Sequence, residues 1–81
     1  MREEQIKEAI FKSLRNIAPE ADLDALPPHE DIRRALDIDS FDFLNFVIGL
    51  NEALGVEIPE ADYGEINTLS AMLRYLSQRL S

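Results

Sequence analysis

The chain has 81 residues, a net charge of −8 and no cysteine. That length points to one small domain, too small for a deep, water-excluding catalytic cleft. The lack of cysteine excludes disulfides, zinc–thiolate sites and a thiol nucleophile, and the lone His29 makes a histidine metal site or a Ser-His pair a poor expectation.

The N-terminal stretch MREEQIKEAIFKSL is charged and has no uninterrupted apolar run, so it does not read as a signal peptide. No later segment is long enough to cross a bilayer, and the cytoplasm is the expected compartment. The first predicted helix runs from about Glu3 to Ala18. Ile6, Ala9, Ile10, Leu14 and Ile17 recur on one stripe. Acids Glu3 and Glu4 sit near its start and Lys12 and Arg15 nearer its end, as the helix dipole favours. Pro19 stops it. Residues 19–39 read as a long connection broken by Pro19, Pro27 and Pro28, with room for a short turn at DIRRAL, residues 31–36. Leu23, Leu26, Ile32 and Leu36 predict that it packs onto the core.

The second main helix is expected from Ser40 or Phe41 to Leu54, where Gly55 ends it. VEI then leads into Pro59. EADYGEI, residues 60–66, reads as a weak short helix interrupted by Gly64. Thr68 is the expected N-cap of a last helix reaching to about Leu80, with Leu69, Met72, Leu73, Leu76 and Leu80 on one face. No period-two pattern suggests a strand. The fold class is therefore all-α, a small four-helix bundle of three main helices and a short third one, with a long loop between the first two. The chain reads as a single domain, 1–81.

Charge is concentrated in the middle. Residues 1–18 carry net +1, residues 19–40 net −5, residues 41–67 net −6 with no base, and residues 68–81 net +2. Such a field disfavours nucleic acid and anionic membrane surfaces and favours basic protein partners.

The 40–54 helix has two apolar faces. Phe43, Phe46, Val47, Leu50 and Leu54 fall within a sector of roughly 100°, the width of a core stripe. Phe41, Leu44 and Ile48 point the other way, with Asn45 and Glu52. One reading has the long loop folding over this second stripe. The other makes it a docking surface for a partner protein, since contiguous exposed apolar residues often mark interaction sites.

Ser40 stands at the head of that helix, among Asp37, Asp39 and Asp42. Its local role is expected to be N-cap, although Asp39 offers the same chemistry. A phosphodiester on this serine would lie near a helix N-terminus that tolerates an anion.

Here the sequence resembles the acyl carrier protein family, most strongly over LDIDSFDFLNFVIGLNEALGVEIPEADYGEINTLSAML, residues 36–73. The family pattern is an L-G-x-D-S-L signature, a helix ending in an acid and then glycine, an apolar-acid-Ile-Pro stretch, a short third helix and a Thr-led fourth. Here these are Leu36-Asp37-Ile38-Asp39-Ser40-Phe41, then Asn51-Glu52-Ala53-Leu54-Gly55, then Val56-Glu57-Ile58-Pro59, then Thr68. The resemblance implies that Ser40 receives 4′-phosphopantetheine from coenzyme A, transferred by a phosphopantetheinyl transferase with magnesium. Asp39 would assist recognition by the transferase or placement of that magnesium. The arm's thiol would carry an acyl group between loading and transferring enzymes of fatty-acid, polyketide or related specialised synthesis. The chain itself would be a monomeric carrier and no enzyme. Phe41, Asp42, Leu44, Asn45, Ile48 and Glu52 would form the partner face. Phe46, Val47, Leu50, Ile58, Ile66 and Met72 are the candidate lining of an acyl pocket, or ordinary core.

Four positions depart from the family. Asp37 replaces the usual glycine and Phe41 the usual leucine, while Asn45 and Asn51 stand where acids are common. These favour a specialised carrier with dedicated enzymes, and Phe43 and Phe46 fill space that an acyl chain would need. An aminoacyl or peptidyl carrier is an alternative, although the Gly-Gly-x-Ser signature common in peptidyl carriers is missing. A different class, an unmodified acidic helical adaptor using the same stripe, also fits the residues.

Overall fold

The computed structural model describes residues 2–80. Its elements are α1 (Glu3–Ile17), a 3-10 turn (Leu23–Ala25), α2 (Ile32–Ala35), α3 (Ser40–Leu54), a second 3-10 turn (Glu60–Glu65) and α4 (Leu69–Leu80). The architecture is all-α, with α1, α3 and α4 around one core and no strand among the described residues.

In α1 the predicted stripe turns inward, and Ile6, Ile10 and Leu14 are fully buried. Ala9 and Ile17 pack at its margin. The Gln5 side chain accepts the Arg2 amide at 3.0 Å, closing the first turn. At the other end the Ala18 amide reaches the Leu14 carbonyl at 2.8 Å, and Pro19 prevents a further turn.

The 19–39 connection is more regular than its prolines suggest. Leu23–Ala25 forms a single 3-10 turn, and Asp31 caps a short helix by accepting the amides of Arg33 at 2.9 Å and Arg34 at 3.4 Å. Leu23, Leu26 and Ile32 are buried. The connection is stitched to the entry of α4: the Ile32 amide donates to Asn67 and the Ser70 amide to Pro28, both at 2.9 Å. Local capping and these cross-chain bonds replace the amide ladder that the prolines interrupt.

α2 closes by a left-handed turn. The Ile38 amide donates to the Arg33 carbonyl at 2.9 Å and the Asp37 amide to the Arg34 carbonyl at 3.3 Å. This pair of bonds requires the residue between helix and exit to take positive φ, and Asp37 has φ 53°. The glycine that the resemblance expects here would take this backbone without strain, and Asp37 adopts it with a side chain attached.

α3 buries Phe43, Phe46, Val47, Leu50 and Leu54. It ends at Gly55, whose φ of 67° lets the Val56 amide reach the Asn51 carbonyl at 3.1 Å. The expected short helix at 60–66 is a 3-10 turn over Glu60–Glu65, with the Asp62 amide on Pro59 at 2.9 Å and the Ile66 amide on Tyr63 at 3.3 Å. Asp62 and Gly64 supply little helix propensity, so the tighter, shorter form prevails. α4 opens with Thr68, whose hydroxyl accepts the Ala71 amide at 3.1 Å. Leu69, Met72 and Leu76 are buried, whereas Leu73 and Leu80 are only partly covered.

Replacing Asp37 with glycine should stabilise the fold. The left-handed conformation costs a non-glycine residue about 1 kcal/mol, offset in part by the greater entropy of an unfolded glycine. The expected gain is about 0.5 kcal/mol, or a few degrees in melting temperature for a domain of this size. Thermal unfolding followed by circular dichroism checks it, and an unchanged or lower midpoint in Asp37→Gly would contradict the account.

Candidate functional site

Asp39, not Ser40, caps α3. Its carboxylate accepts the Asp42 amide at 2.8 Å. Ser40 is the first helical residue, so the capping role expected of its hydroxyl is corrected: the Asp39 side chain takes the amide first. Ser40 is exposed, and its Oγ is left for other partners.

The partner it finds is Arg33. Nη1 of Arg33 donates to Ser40 Oγ at 3.4 Å, a long contact. The guanidinium carbon lies 5.5 Å from the centre of the Phe43 ring, a cation–π distance. Nε of Arg33 is 3.8 Å from Asp31, whose carboxylate is occupied by its own capping amides. Sequence reasoning missed Arg33. The one available signal was the turn suspected at 31–36: once Asp31 is a cap, Arg33 lies inside a short helix that turns back toward Ser40.

Beside the serine lies an open cleft of about 440 Å³ between the start of α3 and the Glu60–Glu65 turn. Arg33, Ser40, Phe41, Phe43, Leu44, Glu60, Tyr63, Gly64 and Asn67 line it. Phe43 forms its inner aromatic wall, packed edge-on against Tyr63 with centroids 6.3 Å apart and against Phe46 at 5.7 Å. The outer wall is fixed from behind. Asp62 accepts the Tyr75 hydroxyl at 2.6 Å and a guanidinium N–H of Arg79 at 3.0 Å, and Arg79 lies 4.8 Å over the Tyr75 ring.

The second stripe of α3 is uncovered. Phe41 is 68% exposed, Leu44 40% and Ile48 47%. The loop that was one candidate to cover them packs instead toward α4. Asn45 and Glu52 are exposed along the same helix and Asp42 is half-buried. Phe46, Val47, Leu50, Ile58, Ile66 and Met72 all lie in the closed core, and none of them borders the cleft.

Chemically the site offers an accessible hydroxyl whose hydrogen bond among the described residues is to Arg33, a donor. Arg33 is a cation and the Asp39 carboxylate is engaged at the cap. Among the described residues no group of three His, Asp or Glu side chains is placed to hold a metal ion, and no helix is long and apolar enough to cross a membrane.

Comparison with known proteins decides the family. Residues 8–76 match the family model described as "Phosphopantetheine attachment site". The chain belongs to the acyl carrier protein family. Its curated relatives include the acyl carrier proteins of Lactobacillus acidophilus, 27% identical, and Lactobacillus johnsonii, 29% identical. Each alignment spans 86% of this chain and 91% of the relative. The solution structure of a "putative acyl carrier protein" from Anaplasma phagocytophilum superposes with a TM-score of 0.85 at 24% identity, over 100% of this chain and 94% of that one. As a member of this family the chain is a carrier and not an enzyme, and its covalent cofactor is 4′-phosphopantetheine.

The fixed cleft wall has a pH signature. Desolvation first, and then the bond to Asp62, raise the Tyr75 phenol above its usual 10.0. The folded state therefore holds this proton more tightly than the unfolded chain. The stabilisation is complete below pH 10 and is lost as pH rises through the higher folded value. Tyr75→Phe should be about 1 kcal/mol less stable at pH 7, and the gap should narrow above pH 10. Urea unfolding of both proteins from pH 7 to 11 checks this, and parallel profiles would rule it out.

Proposed function

We propose that Ser40 is the attachment point of the phosphopantetheine arm and that the chain carries acyl groups between partner enzymes of fatty-acid, polyketide or related specialised synthesis. The observation that carries this reading is the exposed Ser40 hydroxyl, released from capping by Asp39, at the head of α3 beside an open cleft. A tether needs such a hydroxyl and open space for the arm. It needs no base within the carrier, because the transferase supplies one. In the attachment step Ser40 Oγ bonds to the pantetheine-side phosphorus of coenzyme A. The nucleotide half leaves with the electron pair of the broken pyrophosphate bond, and the serine proton passes to the transferase. Once attached, the arm supplies the thiol that the chain lacks, on which an acyl group is held as a thioester.

Asp39, exposed next to Ser40, is assigned to transferase recognition or to placement of its magnesium. Phe41, Asp42, Leu44, Asn45, Ile48 and Glu52 form the partner face, and the acids of residues 41–67 draw in basic surfaces. Phe41 for leucine and Asn45 for an acid make this face more aromatic and less charged than in fatty-acid carriers, while Asn51, whose Oδ1 is buried, lies off it. That supports a specialised carrier with its own enzymes; as part of the same proposal the chain is a cytoplasmic monomer and one domain over residues 1–81.

Incubation with coenzyme A and a broad-specificity transferase should add the mass of one phosphopantetheine to the wild type and nothing to Ser40→Ala. A wild type left unmodified by several transferases would sink the assignment and favour an adaptor. Phe41→Ser, Leu44→Ser and Ile48→Ser should each stay within about 0.5 kcal/mol of wild-type stability, as surface changes do. Their loading should slow, by roughly tenfold where the side chain is an interface anchor. Mass-spectrometric time courses read the rates, and wild-type rates in all three variants would dismiss the docking role.

A further inference from the structure

We infer that Arg33 is the binding group for the phosphodiester that joins the arm to Ser40. The inference rests on the attachment of the arm at that serine. Between Arg15 and Arg74 the only Lys or Arg side chains are Arg33 and Arg34. Arg33 is the one placed on the serine, with Nη1 at 3.4 Å from the oxygen that would become the ester oxygen. A phosphorus bonded to that oxygen carries its charged oxygens one bond further out, within reach of the same guanidinium.

Electrostatics argues the same way. Asp37, Asp39 and Asp42 lie within three residues of Ser40, and a phosphodiester adds a further negative charge among them. Two unit charges 4 Å apart in water interact by about 1 kcal/mol, so a cation at this point removes a repulsion that would otherwise grow with loading. Arg33 is suited to the role because its ion pair with Asp31 is a loose one made through Nε, while Nη1 faces the serine. Phe43 supports the guanidinium at 5.5 Å, and the carboxylate of Asp31 is 3.8 Å from Nε, outside hydrogen-bonding distance. Its planar fork of five donors matches a phosphate, and charge-assisted bonds of this kind are stronger than neutral ones. Anchored there, the base of the arm starts at the mouth of the cleft, where Arg33 is itself part of the lining.

The experiment loads the full chain and its Arg33→Gln and Arg34→Gln variants with coenzyme A and a transferase, and weighs each product. Apo and loaded forms are then melted at low and high salt, and the 31P resonance of the diester and the 15N resonance of Arg33 Nε are recorded. Loading should lower the unfolding constant of the wild type and of Arg34→Gln by roughly threefold more than that of Arg33→Gln, within the range of exposed ion pairs. High salt should erase that difference. The Arg33 Nε resonance should move on loading in the wild type, which requires no variant to fold. The 31P signal should differ between the wild type and Arg33→Gln alone. A loaded wild type whose Arg33 resonance stays in place overturns the inference and leaves the attachment site standing. A wild type that gains no mass overturns both.

Discussion

The burial of one face of α3 against α1 is the interaction on which everything else in the molecule depends. Phe46, Val47 and Leu50 share a core with Ile6, Ile10 and Leu14, all of them excluded from water or nearly so. Each such side chain contributes about 1.5–3 kcal/mol relative to exposure, in a domain whose net stability is of the order of ten. This packing fixes the rotation of α3 about its axis. Once that is set, Phe41, Leu44 and Ile48 have no choice but to face outward, and Ser40 must emerge at one end of the bundle. The exposed stripe and the exposed hydroxyl follow from the same constraint as the core.

The helices and their inner faces were legible because periodicity reports burial directly. The pattern at 40–54 identifies both faces of α3, and the Gly55 and Thr68 signals mark ends that depend on local backbone chemistry alone. What was not legible depended on competition or on distance. Two adjacent side chains, Asp39 and Ser40, offered the same cap, and only geometry shows that Asp39 takes it. The turn suspected at 31–36 is there as α2, but how the connection is fixed was not legible, because that depends on hydrogen bonds to residues around Asn67 and Ser70, far away in sequence. Arg33 was missed because its approach to Ser40 requires the left-handed turn at Asp37, which an aspartate tolerates but does not announce as a glycine would. Here the family's glycine was the better guide to backbone shape than the aspartate actually present.

A carrier has chemical requirements unlike those of an enzyme. It must present one nucleophilic oxygen to a catalyst that it does not contain, and afterwards release each partner in turn. An exposed serine hydroxyl that meets an arginine, and a small apolar face within an acidic field, both suit this. Three half-exposed or exposed side chains give contact without the large dry interface of a permanent complex. Long-range attraction between opposite charges speeds encounter more than it slows departure.

The Glu60–Glu65 turn is a strap clamped twice. Asp62 is held from α4 by Tyr75 and Arg79, and Asn67, just beyond the strap, receives the Ile32 amide from the connection that leads to Arg33. A strap secured at one end can swing and be reshaped by whatever it meets. Held at Asp62 and again just past its end at Asn67, it has little freedom left to surrender, so the outline of the cleft is set by the fold itself rather than by whatever enters it.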